Sequence, residues 1–184
     1  QKILHSGEIP ELGKAISGDG SVVGSNTGNG MALFEWNGTD YVQTWFRSVP
    51  GDAVVDISDD GRTMAYGLDF LYFDKRTITE CVDIPSKTVT MSEDITTTGE
   101  YGNGIEDIAV TPDGRFFVTA AWGDESGLFP EVRLYSRARS QPVGTLDLPG
   151  SALSVDISAD ARWIVVGSYP VHIQVPSNTG QVDL

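Results

Sequence analysis

Apolar and polar positions alternate along this chain in short units. Runs of about four to eight residues, rich in Val, Ile, Phe and Trp, are bounded by Gly, Asp, Asn and Ser, the pattern of β-strands joined by tight turns. One unit recurs. Val54-Val55-Asp56-Ile57-Ser58-Asp59-Asp60-Gly61-Arg62-Thr63-Met64-Ala65-Tyr66-Gly67 has three counterparts. They are Ala15-Ile16-Ser17-Gly18-Asp19-Gly20-Ser21-Val22-Val23, Ile108-Ala109-Val110-Thr111-Pro112-Asp113-Gly114-Arg115-Phe116-Phe117 and Val155-Asp156-Ile157-Ser158-Ala159-Asp160-Ala161-Arg162-Trp163-Ile164. Each is an apolar strand, a Ser/Thr-x-Asp-Gly turn and a second apolar strand, with Ala161 in place of the last glycine.

The turn aspartates Asp19, Asp60, Asp113 and Asp160 stand 41, 53 and 47 residues apart. A hairpin returning at that interval predicts an all-β chain built as a β-propeller, one hairpin per blade. In the turn, Ser or Asp side chains bond nearby backbone N–H groups and Gly takes the positive φ, so these aspartates read as turn formers. Ala161 lacks that freedom, which predicts that the fourth hairpin is the least regular.

Four blades of about four strands follow, over residues 14–47, 53–84, 105–147 and 152–184, in one domain spanning 1–184. The first reads Lys14–Ser17, Ser21–Gly24, Met31–Trp36 and Tyr41–Arg47, and the second Val54–Ser58, Arg62–Gly67, Phe70–Asp74 and Ile78–Ile84, with Lys75-Arg76 turning its third strand. The third reads Ile105–Thr111, Arg115–Ala121, Glu131–Ser136 and Pro142–Leu146, and the fourth Leu153–Ser158, Arg162–Ser168, Val171–Val175 and Gln181–Leu184. Inner strands such as Trp163-Ile164-Val165-Val166 are continuously apolar, as expected where both faces are covered by neighbouring blades. Gln1–Ser6 aligns with Gln43–Ser48 and reads as an orphan outer strand. Two closures are open: the orphan strand clasps blade four into a small ring, or the chain is an arc of a larger propeller. The arc is preferred, and it would leave apolar blade faces to be covered by another chain or another copy.

Two longer connections, Ser86–Gly104 and Trp122–Pro130, emerge on one rim in an up-and-down blade. They bring together Glu93, Asp94, Glu100, Asp124 and Glu125 with Tyr101, Trp122 and Phe129. Carboxylates beside aromatic faces suit a cation, a basic peptide or a sugar, and long loops on a rigid scaffold are where binding concentrates. The plainer reading is that the aromatics pin the loops to the scaffold.

Charge narrows the partners. Twelve basic against 26 acidic residues give a net charge of −14 and a pI near 4.3, which argues against nucleic acid, whose phosphates would be repelled. No apolar run approaches the roughly eighteen residues of a membrane-spanning helix, and no signal-peptide pattern follows Gln1. Cys81, the single cysteine, lies in an apolar strand pattern and reads as a buried thiol. Asn37-Gly38-Thr39 at a hairpin tip is a glycosylation acceptor triplet if the chain is secreted. His5 and His172 sit in strand patterns without neighbouring ligands, and Asp56-Asp59-Asp60 lacks the spacing of a calcium loop, so no cofactor is expected and calcium is a weak alternative.

The repeated Ser-x-Asp-Gly-Arg turn between the first two strands of each blade resembles that of the YVTN, TolB-like and WD40-like propeller superfamily. The resemblance covers nearly the whole chain and implies the fold, whereas propellers of this kind serve as scaffolds, ligand binders and enzyme subunits alike. Gly-His and Trp-Asp dipeptides of the WD40 adaptors are absent, as is the sialidase pattern with its following Thr-Trp. The expected function is a non-enzymatic scaffold, extracellular or in the cell envelope, that assembles with a protein partner through rim loops and blade faces. The alternatives are part of a propeller enzyme whose catalytic residues lie elsewhere, and a lectin-like module.

Overall fold

The computed structural model describes residues 12–49, 51–69, 75–97, 103–123, 129–169 and 181–183. These form four antiparallel sheets, each built from strands consecutive in the chain. The first holds β1 (Leu12–Ile16), β2 (Val22–Asn26), β3 (Gly30–Trp36) and β4 (Tyr41–Ser48). The second holds β5 (Asp52–Ile57), β6 (Thr63–Asp69), β7 (Arg76–Asp83) and β8 (Thr88–Thr96). The third holds β9 (Ile105–Val110), β10 (Phe116–Ala121), β11 (Val132–Ser136) and β12 (Gly144–Leu146), and the fourth β13 (Ser151–Ile157), β14 (Ile164–Tyr169) and β15 (Gln181–Asp183). No helix among the described residues is long and apolar enough to cross a membrane.

Each repeated hairpin closes in the same way. Ser17, Ser58 and Ser158 Oγ and Thr111 Oγ1 donate to Asp19, Asp60, Asp160 and Asp113 Oδ1 at 2.8, 2.6, 2.8 and 2.9 Å. The same Oδ1 accepts the backbone N–H two residues on, at 2.8 Å from Ser21, 3.0 Å from Arg62 and 3.1 Å from Arg115 and Arg162. These bonds, with Ser21 contributing most, draw the Asp19 carboxyl down to about 2. The fourth hairpin carries the whole set, with Trp163 N–H also reaching Ser158 Oγ at 3.0 Å, so its expected irregularity is not found. Ala161 takes the left-handed backbone, φ 56°, at the place where Gly61 and Gly114 have φ 65° and 64°. The hydrogen bonds hold it there against the steric preference.

The sheets pack face to face in chain order. Met31 and Leu33 of the first meet Val55, Ile57, Met64 and Tyr66 of the second in one apolar cluster. Cys81 and Met91 of the second meet Phe117 and Tyr135 of the third, and Val118 and Val132 of the third meet Val155 and Val166 of the fourth. Phe117 and Tyr135 stack with ring centroids 4.9 Å apart, and burial pushes the Cys81 thiol up to about 11. The first strands touch in succession, β1 to β5, β5 to β9 and β9 to β13, whereas no comparable contact joins the first sheet to the fourth among the described residues.

Three strand assignments differ from the sequence reading. In the second sheet the third strand is Arg76–Asp83, so Lys75-Arg76 leads into a strand, and the expected third strand over 70–74 lies outside the described residues. The fourth strand is Thr88–Thr96, reached through a turn at 84–87 with Lys87 at φ 58°, and it occupies about half of what reads as a loop. Its polar side chains conceal a period-two pattern in which Val89, Met91, Glu93 and Ile95 turn inward. In the fourth sheet Gln181–Asp183 pairs directly with β14 and is the third strand of that sheet; 171–175 lies outside the described residues, as do Gln1–Ser6, His5 and His172.

Candidate functional site

The expected rim constellation divides. Glu100, Tyr101, Asp124 and Glu125 lie outside the described residues. Glu93 and Asp94 stand on β8 and serve the scaffold, since Asp94 pairs with Arg76 in the neighbouring strand. Glu93 Oε2 accepts from Arg133 Nη1 at 3.0 Å and from Tyr135 Oη at 2.5 Å, clamping the second sheet to the third with both charged side chains nearly buried. Burial, followed by the Glu93 charge, raises the Tyr135 hydroxyl far above its ordinary value and keeps it a donor.

A matching clamp joins the first two sheets with the charges exchanged. Arg47 on β4 donates to Glu80 Oε1 on β7 at 2.7 Å, Tyr66 Oη donates to Glu80 Oε2, and Ser92 Oγ completes the carboxylate at 2.9 Å. Thus the fourth strand of one sheet meets the third strand of the next as Arg to Glu, and then as Glu to Arg. A buried carboxylate is stable only with such a full set of partners.

Trp122 and Phe129 are half-buried at the feet of their loop. Trp122 N–H donates to Gly104 O at 2.9 Å and Gly123 N–H to Asn103 Oδ1 at 2.8 Å, while Asn103 O accepts from Thr77 Oγ1 at 2.6 Å. These bonds, which use the main chain of Trp122 and Gly123 and the side chain of Asn103, tie the two connections to each other and to the second sheet. Glu131, which the sequence reading did not single out as a site, anchors the same corner. Its Oε2 accepts Leu148 N–H at 2.7 Å, and Gly123 approaches so closely that a Cβ there would stand 2.2 Å from Oε1. Burial, with Asp147 alongside, pushes its carboxyl up to about 7.

The first strands carry a second series of carboxylates. Asp56 Oδ1 accepts Ile57 N–H at 2.8 Å, and its Oδ2 reaches into the next sheet to accept Val110 N–H at 2.7 Å. Asp107 repeats this, taking Ile108 N–H at 2.9 Å and Val155 N–H of the fourth sheet at 2.9 Å. Among the described residues Asp156 takes only its own Ile157 N–H, at 2.8 Å, and it lies exposed. Around it the outward face of the fourth sheet shows Leu153, Val165, Tyr169 and Trp163, the last 68 % exposed. Beside that sheet a groove of about 410 Å³ opens, lined by Val132, Leu134, Leu146, Trp163, Ile164 and Val166. Within the single chain, then, one face of Trp163–Val166 is exposed.

Asn37 is exposed in the β3–β4 turn, its Oδ1 accepting Thr39 and Asp40 N–H at 2.9 and 2.8 Å. Among the described residues, no group of three or more His, Cys, Asp or Glu is arranged to hold a metal ion.

No family model matches the chain, and no curated protein matches it. Among solved structures it is similar to hydrazine synthase of Kuenenia stuttgartiensis, with 19% sequence identity and a TM-score of 0.65. The likeness covers 100% of this chain and 49% of that one, so the chain spans about half the length of that protein. At this identity the likeness is one of fold.

Proposed function

We propose that the chain is a β-propeller scaffold, of the kind its Ser-x-Asp-Gly-Arg repeat resembles, that works by assembling with another protein through the faces of its terminal sheets. The observation that carries this reading is the outward face of the fourth sheet. Sheets one to three bury apolar side chains against their successors, yet Leu153, Trp163, Val165 and Tyr169 face solvent in a structure otherwise built by stacking. Apolar patches rimmed by polar residues mark interaction sites. An extracellular or envelope setting goes with this reading, and there the exposed Asn37 triplet would be open to glycosylation.

Light scattering over a dilution series tests it. The wild-type chain is expected to exceed the 19.8 kDa of a single copy, and Leu153→Arg is expected to return it to that mass. A wild-type chain that stays at single-copy mass throughout overturns self-assembly through this face.

A second reading is part of a propeller enzyme, favoured by the likeness to about half the length of a protein named as a synthase. Its test is turnover that appears only in the assembled form.

A further inference from the structure

The position two residues before each turn Ser or Thr alternates down the chain: Ala15, Asp56, Ala109, Asp156. The alternation has a mechanical meaning in the structure. The next residue, Ile16, Ile57, Val110 or Ile157, directs its N–H off the open edge of the first strand. This follows because the N–H after it, on Ser17, Ser58, Thr111 or Ser158, bonds inward to Val22, Thr63, Phe116 or Trp163 O. Ile57 and Ile157 have that outward N–H served by their own aspartate, Asp56 and Asp156. Val110, preceded by Ala109, has it served across the interface by Asp56 Oδ2 of the preceding sheet. Ile16, preceded by Ala15, has no such acceptor among the described residues, and Asp156 at the other end keeps its Oδ2 without a partner among them.

We infer that the open face of the fourth sheet receives the first sheet of a second copy of this chain, with Asp156 Oδ2 accepting Ile16 N–H as Asp56 accepts Val110 N–H. The inference rests on the assembly reading above and names the partner of that face. Three observations select a second copy. The Ala/Asp alternation continues unbroken only if an Ala15 sheet follows an Asp156 sheet, and this chain's own first sheet makes no comparable contact with its fourth among the described residues. The first sheet offers apolar side chains of its own, with Ile16 56% and Phe46 45% exposed. Two copies bring eight sheets together, within the range of about four to eight blades that closes a propeller. A head-to-tail contact closing after two copies satisfies both ends of both chains.

Light scattering and sedimentation on the intact chain and its variants test this. The wild type is expected at the mass of two copies. Asp156→Ala, on an exposed residue, removes a charge-assisted hydrogen bond and is expected to weaken the pair about tenfold or more. Ala15→Asp sets a second carboxylate against Asp156 and is expected to weaken it at least as much; because Ala15 also packs on the first–second cluster, a urea midpoint separates this effect from loss of fold. The double variant A15D/D156A is expected to recover most of the loss of A15D, because Ile16 N–H is then served from its own sheet, as Ile57 is. A pair unaffected by Asp156→Ala overturns the inference, as does a mass that climbs without limit with concentration. Either result leaves an association sensitive to Leu153→Arg intact, whereas a wild type of single-copy mass overturns this inference together with self-assembly and leaves the assembly reading to a different partner protein.

Discussion

Gly114 shows how closely the repeated turn is fitted to its neighbour. It holds φ 64°, and a Cβ added to it would stand 2.2 Å from Thr63 Oγ1 and 2.6 Å from Thr63 Cβ, a side chain wholly buried. Gly114→Ala is therefore expected to cost about 1–3 kcal/mol through overpacking, with backbone strain added, read as a lower urea midpoint at unchanged m. Glu131 gives a pH dependence. Its carboxyl titrates near 7 in the folded chain against an ordinary 4.5, so the folded state holds the proton more tightly than the unfolded one. The stability this contributes is complete below about pH 4.5 and is lost as pH rises through 7, on the order of 2 kcal/mol. Between pH 5 and 8 the wild type should lose more stability than Glu131→Gln, whose amide oxygen can still accept Leu148 N–H.

At the scale of elements, the hairpins were legible because Ser/Thr-x-Asp-Gly imposes one hydrogen-bond set wherever it occurs, strong enough to hold even Ala161. β8 was not legible. Thr88-Val89-Thr90-Met91-Ser92-Glu93-Asp94-Ile95-Thr96 has polar residues on its outward side and Glu93 on its inward side, so composition masks the alternation. Glu93 points inward because Arg133 and Tyr135, forty residues and more away, complete its carboxylate, and no local pattern reports that partnership. The site suffered the same limit: aspartates that bridge sheets look like any other acidic residue until β5, β9 and β13 are set side by side. Arg133→Met strands the nearly buried Glu93 carboxylate and should destabilise the fold by about 3 kcal/mol in denaturant titrations. Adding Glu93→Gln should recover most of that, a coupling visible in a double-mutant cycle.

At the scale of the molecule, stability is shared among three sheet-to-sheet interfaces in series, each with its own apolar cluster. Repeat architectures of this kind gain cohesion from nearest neighbours, so terminal units are the least supported. The fourth sheet, with three strands among the described residues and an exposed face, fits that place. Amide hydrogen exchange should therefore be fastest in β13 and β14 of a single copy and slow on pairing, while the second sheet stays the most protected under both conditions.

The exchanged charges of the two clamps also bear on how the chain finds its fold. Chains of similar units are prone to misfold by skipping one, docking the first unit against the third. Here that error would press Arg47 against the nearly buried Arg133, two guanidinium groups with no carboxylate between them. Skipping is penalised electrostatically even though the apolar surfaces are alike, so alternating polarity acts as a proofreading key for unit order. The same key forbids simple deletion of the second unit, and it constrains how such a chain could have grown by duplicating one unit at a time.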